Sequence, residues 1–353
     1  MNRAAVVARR RFRVEAEADS VMGERFEQLQ GWLHQDLGFG EFTIAPASSD
    51  ASFRRYFRVT RRGESHIVMD APPDKEDCGP FIAIAAALAG LGLNVPRVIE
   101  AERTRGFLLL TDLGCTPYLS ALNASSVERL YDDALQSLRR LHAAPLAGAG
   151  LPDYDRVLLL REMELFPEWF LQRHLGVTLD EAWRAALAEA FSYLADAALA
   201  QPRVWVHRDY HSRNLMVTGE RNPGVLDFQD AVLGPCTYDL VSLLRDCYIR
   251  WPRERVTAWA GGYLVRAQAT GLLPDVESAE FIHWFDLMGV QRHCKAIGIF
   301  ARLYHRDGKP GYLADIPRTL SYVLEVLPDH APLRPLRRLL EERVVPRLQP
   351  GPA

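Results

Sequence analysis

Lysine is nearly absent from this sequence. Across 353 residues only Lys75, Lys295 and Lys309 occur, while Lys and Arg together number 42 against 45 Asp and Glu, for a formal net charge of −3. Arginine therefore carries almost all positive charge, and no global basic field calls for nucleic acid or an anionic membrane. Cysteine is also scarce: the five are scattered, odd in number and never spaced C-x-x-C, which argues against a disulfide frame or a zinc site. No uninterrupted apolar run approaches the ~18 residues of a membrane span. The arginine-rich residues 1–22 lack the apolar segment of a secretory signal. We read them as a disordered basic tail, and the chain as cytoplasmic and, by default, monomeric.

What is present is ordinary globular material, 48% hydrophobic and 25% charged, in a chain long enough for two lobes. A helix pattern begins near Met22, with Phe26, Leu29, Trp32 and Leu33 on one face and Gly38 and Gly40 at its end. Short β-like runs follow: "EFTIA", "RYFRVT", "SHIVMDA", "RVIEA" and "GFLLLTD", interrupted by one helix at about 81–91. After Leu113 helical periodicity dominates, over about 126–141, 156–174, 180–200, 236–248, 254–270, 278–304 and 334–345. Three strand-like runs, "RVWVH", "NLMVT" and "GVLDF", stand among them, with a turn at Gly219 to Pro223. The expected fold is α+β and bilobal. A small β-rich lobe with one main helix spans 23–113, and a larger, mainly helical lobe spans 114–353.

The three strands frame an unusual stretch, "VHRDYHSRNLMVTGERNPGVLDFQD", residues 206–230. Asp209 ends one strand, Asn214 opens the next and Asp227 ends the third, so a tight loop and a hairpin bring them to one edge. Magnesium takes hard oxygen ligands and few of them from protein, which suits Asn214 and Asp227 as metal ligands. Asp209 then remains to orient a hydroxyl and accept its proton. H-x-D-x-x-x-x-N followed by D-F is the catalytic-loop and metal-loop spacing of protein-kinase-like phosphotransferases. His207 and Asp239, the latter at the start of a helix in "GPCTYDLVSLL", read as structural support.

The nucleotide side departs from that pattern. "PASSDASFRRYFRV" lies where a phosphate-covering loop belongs but has no Gly-x-Gly, so Ser48, Ser49, Ser52 and backbone amides would cradle phosphate, with Arg54 as cationic help. Backbone near Leu110, Asp112 and Leu113 is the candidate edge for adenine. The third strand lacks the usual lysine, and no acid occurs between Asp77 and Glu100 to pair with one. Lys75 or Arg58 substitutes, or loop amides and magnesium suffice. The other alternative is a pseudokinase that binds nucleotide without turnover.

"HRDYHSRNLM" and "LDFQDAVLGPCTYDLVSLLRD" resemble the aminoglycoside phosphotransferase and choline kinase superfamily. "DASFRRYFRV", "VMDAPPDKEDCGPFIAIA", "REMELFPEWFLQRHLG" and "QRHCKAIGIFARLYHRDGKPGYL" are similar to its bacterial anomeric kinases for N-acetylmuramate and N-acetylglucosamine, over about residues 24–345. The resemblance implies ATP- and magnesium-dependent phosphorylation of an amino sugar at C1, in peptidoglycan recycling. Met288, Gln291, Lys295, Gly298 and Arg302 share one helix face, with Gly298 leaving room and Gln291 and Lys295 donating to a polar or anionic acceptor. Glu164, His211, Arg213, Arg245 and Asp246 are the further acceptor-binding candidates. Aminoglycosides are polycations and would call for surplus carboxylates instead, but another small-molecule kinase of this fold remains an alternative.

Overall fold

A computed structural model describes residues 23–48 and 53–348. They cluster into two compact units, one of residues up to Ala83 with Pro96–Asp112, the other of Ile84–Val95 with the chain from Leu113 on. The expected tail at 1–22, and Ser49 and Ser52, lie outside the described residues. Among the described residues no helix is long and apolar enough to cross a membrane.

The smaller unit is a five-stranded antiparallel sheet with a helix, α1 (23–36), packed on it. Its strands are β1 (Thr43–Ser48), β2 (Arg55–Arg61), β3 (Glu64–Asp70), β4 (Val98–Glu102) and β5 (Phe107–Thr111), in the order β1-β2-β3-β5-β4. Alternation sends Val59, Val68, Phe107 and Leu109 into a core with Leu29, Trp32 and Leu33 of α1. Gly106 is required where it stands: at φ +75°, a Cβ there would lie 1.9 Å from the carbonyl oxygen of Ala71. Asp70, opposite Arg55 in the β2–β3 register, is fully buried and takes the Nε groups of Arg25 (3.1 Å) and Arg55 (2.9 Å).

α2 (Cys78–Gly90) runs across the division, and residues 84–95 group with the larger unit. There the amide of Val225 donates to the carbonyl of Asn94 at 2.7 Å. The larger unit is built on α3 (Val127–His142), α4 (Arg156–Met163), α5 (Glu181–Leu199), α6 (Tyr238–Leu244), α7 (Arg253–Gln268), α8 (Ser278–Asp307), α9 (Ile316–Val326) and α10 (Arg334–Leu339). α4 continues past Glu164 into a wide helical segment, Phe166–His174. Two short antiparallel ribbons sit among them: β6 (Arg203–Val206) with β9 (Val232–Pro235), and β7 (Leu215–Met216) with β8 (Gly224–Val225).

Two elements have no counterpart in the sequence reading. β9 reads "VLGP", where Gly and Pro mimic a turn. Gly234 is needed because a Cβ there would stand 2.9 Å from the Cβ of Tyr154. α9 opens "IPRT", with proline at a first-turn position where its missing N–H costs nothing. It buries Ile316, Leu320, Tyr322 and Val323 on one face.

Candidate active site

The site grows from the loop that leaves β6. Asp239, in the first turn of α6, accepts the backbone N–H groups of His207 (2.7 Å) and Arg208 (3.0 Å). Asp246, just past α6, accepts those of Ser212 (2.8 Å) and Tyr248 (2.8 Å). Two buried carboxylates thus clamp the loop at both ends. Arg208 is held at φ +77° and Asp227 at φ +63°, left-handed conformations that side-chain-bearing residues seldom adopt. Such strain persists only where surrounding bonds over-determine it.

This frame assembles the trio. The Asn214 amide nitrogen donates to the backbone carbonyl of Asp209 (3.1 Å) and to Oδ2 of Asp227 (3.2 Å), while Gln229 Nε2 holds Oδ1 of Asp227 at 2.7 Å. Among the described residues no group of three His, Cys, Asp or Glu is arranged to hold a metal. An amide oxygen and a carboxylate are instead a sparse, hard donor pair, which fits magnesium with phosphate and water completing its shell. Asp209 is different from every other acid of the site. Its backbone is fully used, its N–H donating to Nδ1 of His207 at 3.2 Å, yet its half-buried carboxylate accepts no hydrogen bond from any described residue.

Charge around Asp209 is organised by a residue the sequence reading passed over. Glu162, on α4, is buried and ion-pairs with Lys295 Nζ (3.0 Å) and with Arg208, while Tyr154 donates its hydroxyl to the same carboxylate. Lys295 also donates to the Tyr238 hydroxyl at 3.0 Å. Burial acts to raise the Asp209 carboxyl, but the charges of Lys295, His211, Arg292 and Arg208 outweigh it and hold the group below its ordinary value. Asp239 goes the other way: burial pushes it up to about 7, against the two amides that favour its charge. Burial drives His207 down to about 4, so its imidazole is neutral and serves as an acceptor for the Asp209 amide. A helical phase could have found Glu162. It lies three residues after buried Leu159 and four before buried Phe166, on the apolar face, whereas Glu164 lies off that face and is exposed.

The other expected acceptor residues are spread. Gln291 is buried, its amide 3.5 Å from the Tyr154 hydroxyl, in the same layer as Lys295. His211 packs edge-on to Tyr248, over whose ring Arg213 lies at 3.7 Å. Arg245 is buried on Asp286 and over the ring of Phe285, a core ion pair rather than an open donor. Asp246 is committed to loop amides, as above. Gly298 does not leave room for a ligand: a Cβ there would come within 2.4 Å of the Leu165 backbone, so it admits the chain that follows α4.

The candidate nucleotide residues belong to the smaller unit, except Leu113. Ser48 ends β1, and Arg54 pairs with Glu76 at 2.9 Å. Leu110 lies in β5, an interior strand with neighbours on both sides. Asp112 accepts a two-pronged bond from Arg58, at 2.6 and 3.0 Å, so the arginine considered as a lysine substitute is engaged there. Among the described residues the Lys75 side chain pairs only with the exposed Asp74, at 3.4 Å.

Residues 43–281 match the phosphotransferase enzyme family. A protein of Pseudomonas putida named N-acetylmuramate/N-acetylglucosamine kinase is 48% identical over 328 residues, covering 90% of this chain and 96% of that protein. A Pseudomonas aeruginosa protein of the same name is 47% identical over 326 residues, with 90% and 96% covered. Among solved structures, a choline/ethanolamine kinase family protein from Mesorhizobium loti has a TM-score of 0.60 at 14% identity, covering 89% of this chain and 99% of its own. That likeness concerns the fold, a protein-kinase-like pairing of a β-rich unit with a helical one.

Proposed function

The chain belongs to the phosphotransferase enzyme family, and on that premise we propose that it phosphorylates the C1 hydroxyl of N-acetylmuramate or N-acetylglucosamine. ATP is the donor, and the products are the sugar 1-phosphate and ADP. The observation that carries this reading is the Asp209 carboxylate, which accepts no hydrogen bond from any described residue and belongs to the same loop system as the Asn214–Asp227 pair. A carboxylate in that state is available for the acceptor's own O–H.

Asp209 would orient the hydroxyl and accept its proton as the new O–P bond forms and the bond to the leaving ADP oxygen breaks. A hemiacetal hydroxyl is more acidic than an ordinary alcohol. A base held below its usual pKa therefore suffices, collecting the proton late. Magnesium, held by Asn214 and Asp227, would supply charge neutralisation at the phosphate oxygens. His207 and Asp239 fix the loop, while Gln291 and Lys295 face the acceptor. The relatives' names support an amino-sugar acceptor, and an ATP-consuming step of cell-wall sugar recycling belongs in the cytoplasm.

An ADP-release assay with ATP and magnesium tests this. It would compare both sugars with their 1-O-methyl glycosides and kanamycin. Turnover on the free sugars and none on the glycosides is expected. Turnover on the blocked glycosides or on kanamycin would overturn C1 as the site, and silence on all would overturn the sugar assignment.

A further inference from the structure

Among the described residues, Arg292 is a buried cation with no carboxylate in ion-pair contact. It follows Gln291 on α8, and its side chain is 5% exposed. Nη1 donates to the Cys247 sulfur at 3.8 Å, its guanidinium lies 5.9 Å from the centre of the Tyr238 ring, and Nε is buried with no acceptor. No carboxylate among the described residues lies within ion-pairing distance of it. Its neighbours in kind each have an ion-pair partner: Arg245 has Asp286, while Arg208 and Lys295 share Glu162. An ion removed from water without a counter-charge costs several kcal/mol. A rigid fork of donors is also what bidentate carboxylate recognition uses.

It lies within electrostatic reach of the base. The negative groups that act on Arg292 from the elements around it include Asp209 and Asp246, and its own charge acts on His211. Asp246 holds the amide of Ser212, so one carboxylate both anchors the loop after Asp209 and acts on Arg292. The phosphate side has its own provision in Asn214 and Asp227, which leaves Arg292 to the acceptor, next to the polar pair Gln291 and Lys295.

We propose that Arg292 is a specificity-determining residue that receives a carboxylate carried by the acceptor, here the lactyl group of N-acetylmuramate. The inference rests on the amino-sugar reading above. It makes the carboxylate-bearing sugar the better-bound of the two, and it moves the anion-binding role from Lys295, which already has a carboxylate partner in Glu162, to Arg292.

The test is titration calorimetry on the full chain with N-acetylmuramate and its neutral lactyl carboxamide. The wild-type protein should bind the acid about 10- to 100-fold more tightly, the range of a charged hydrogen-bonded contact. Arg292→Gln should bring that ratio to within about threefold of one. Damage to the fold would weaken both ligands alike and leave the ratio standing, so the ratio separates recognition from stability. A wild-type ratio near one, binding of neither ligand, or a ratio that survives in Arg292→Gln would each overturn the proposal. ADP release with N-acetylglucosamine, run in parallel on the wild type, reports on the phosphotransfer reading alone.

Discussion

Asp70, the last residue of β3, and Asp209, in the loop that leaves β6, are both acids, one in each unit, and they are treated oppositely. Asp70 is fully buried and takes donors from two arginine forks, Arg25 and Arg55. Asp209 is surrounded by cations, yet its carboxylate touches none of their hydrogens. The first arrangement satisfies an acid by direct pairing; the second keeps it ionised by field while leaving its lone pairs open. Saturation marks a structural charge, and an unsaturated charge held in place by its backbone marks a working one.

The comparison breaks if the two positions respond alike to loss of charge. Asp209→Asn should lower kcat by about 10²–10⁴-fold, with urea stability unchanged or raised, because no bond to the carboxylate is lost. Full activity in that variant, seen by ADP release, would remove Asp209 from the mechanism. Asp70→Asn should do the reverse, costing about 2–4 kcal/mol in urea unfolding while the folded fraction keeps its kcat. Partial exposure of both arginines keeps this below the cost of a fully buried pair. A stability loss at Asp209 equal to that at Asp70 would erase the distinction.

Smaller effects sharpen it. Lys295 is the foremost of the charges that lower Asp209, so Lys295→Met should move the acid limb of the kcat/KM profile to higher pH. A limb that stays put while kcat drops would make Lys295 a packing residue only. Acid should also destabilise the fold through its buried histidines. Burial lowers His142 and His293 to about 3 and His207 to about 4, whereas an unfolded imidazole titrates near 6.5. Their folded pKa values are depressed, so the stability they contribute is whole above pH 6.5 and is lost as pH falls toward 3. His142, whose Nδ1 meets the Tyr263 hydroxyl at 2.7 Å, gives the cleanest check. His142→Gln should cut the pH slope of the urea midpoint by about one proton, and an unchanged slope would contradict its neutral burial.

Legibility in the sequence followed the range of the interaction. The strands of the small unit alternate visibly because one face of each meets α1, and the long helices repeat because one side of each is buried. The Asp209, Asn214 and Asp227 spacing was readable for the same reason: all three lie within nineteen residues on two short ribbons. β9 escaped because its Gly is explained only by Tyr154, about eighty positions away, and α9 because a proline opens it. Arg245, Asp246, Lys295 and Arg292 are all polar residues on helical segments and look equivalent in one dimension. Only the fold shows that the first two are committed to Asp286 and to loop amides, that Glu162 pairs with the third, and that the fourth has no carboxylate partner among the described residues. Local spacing is written along the chain, whereas which charge meets which counter-charge depends on contacts between segments from tens of residues to more than a hundred apart.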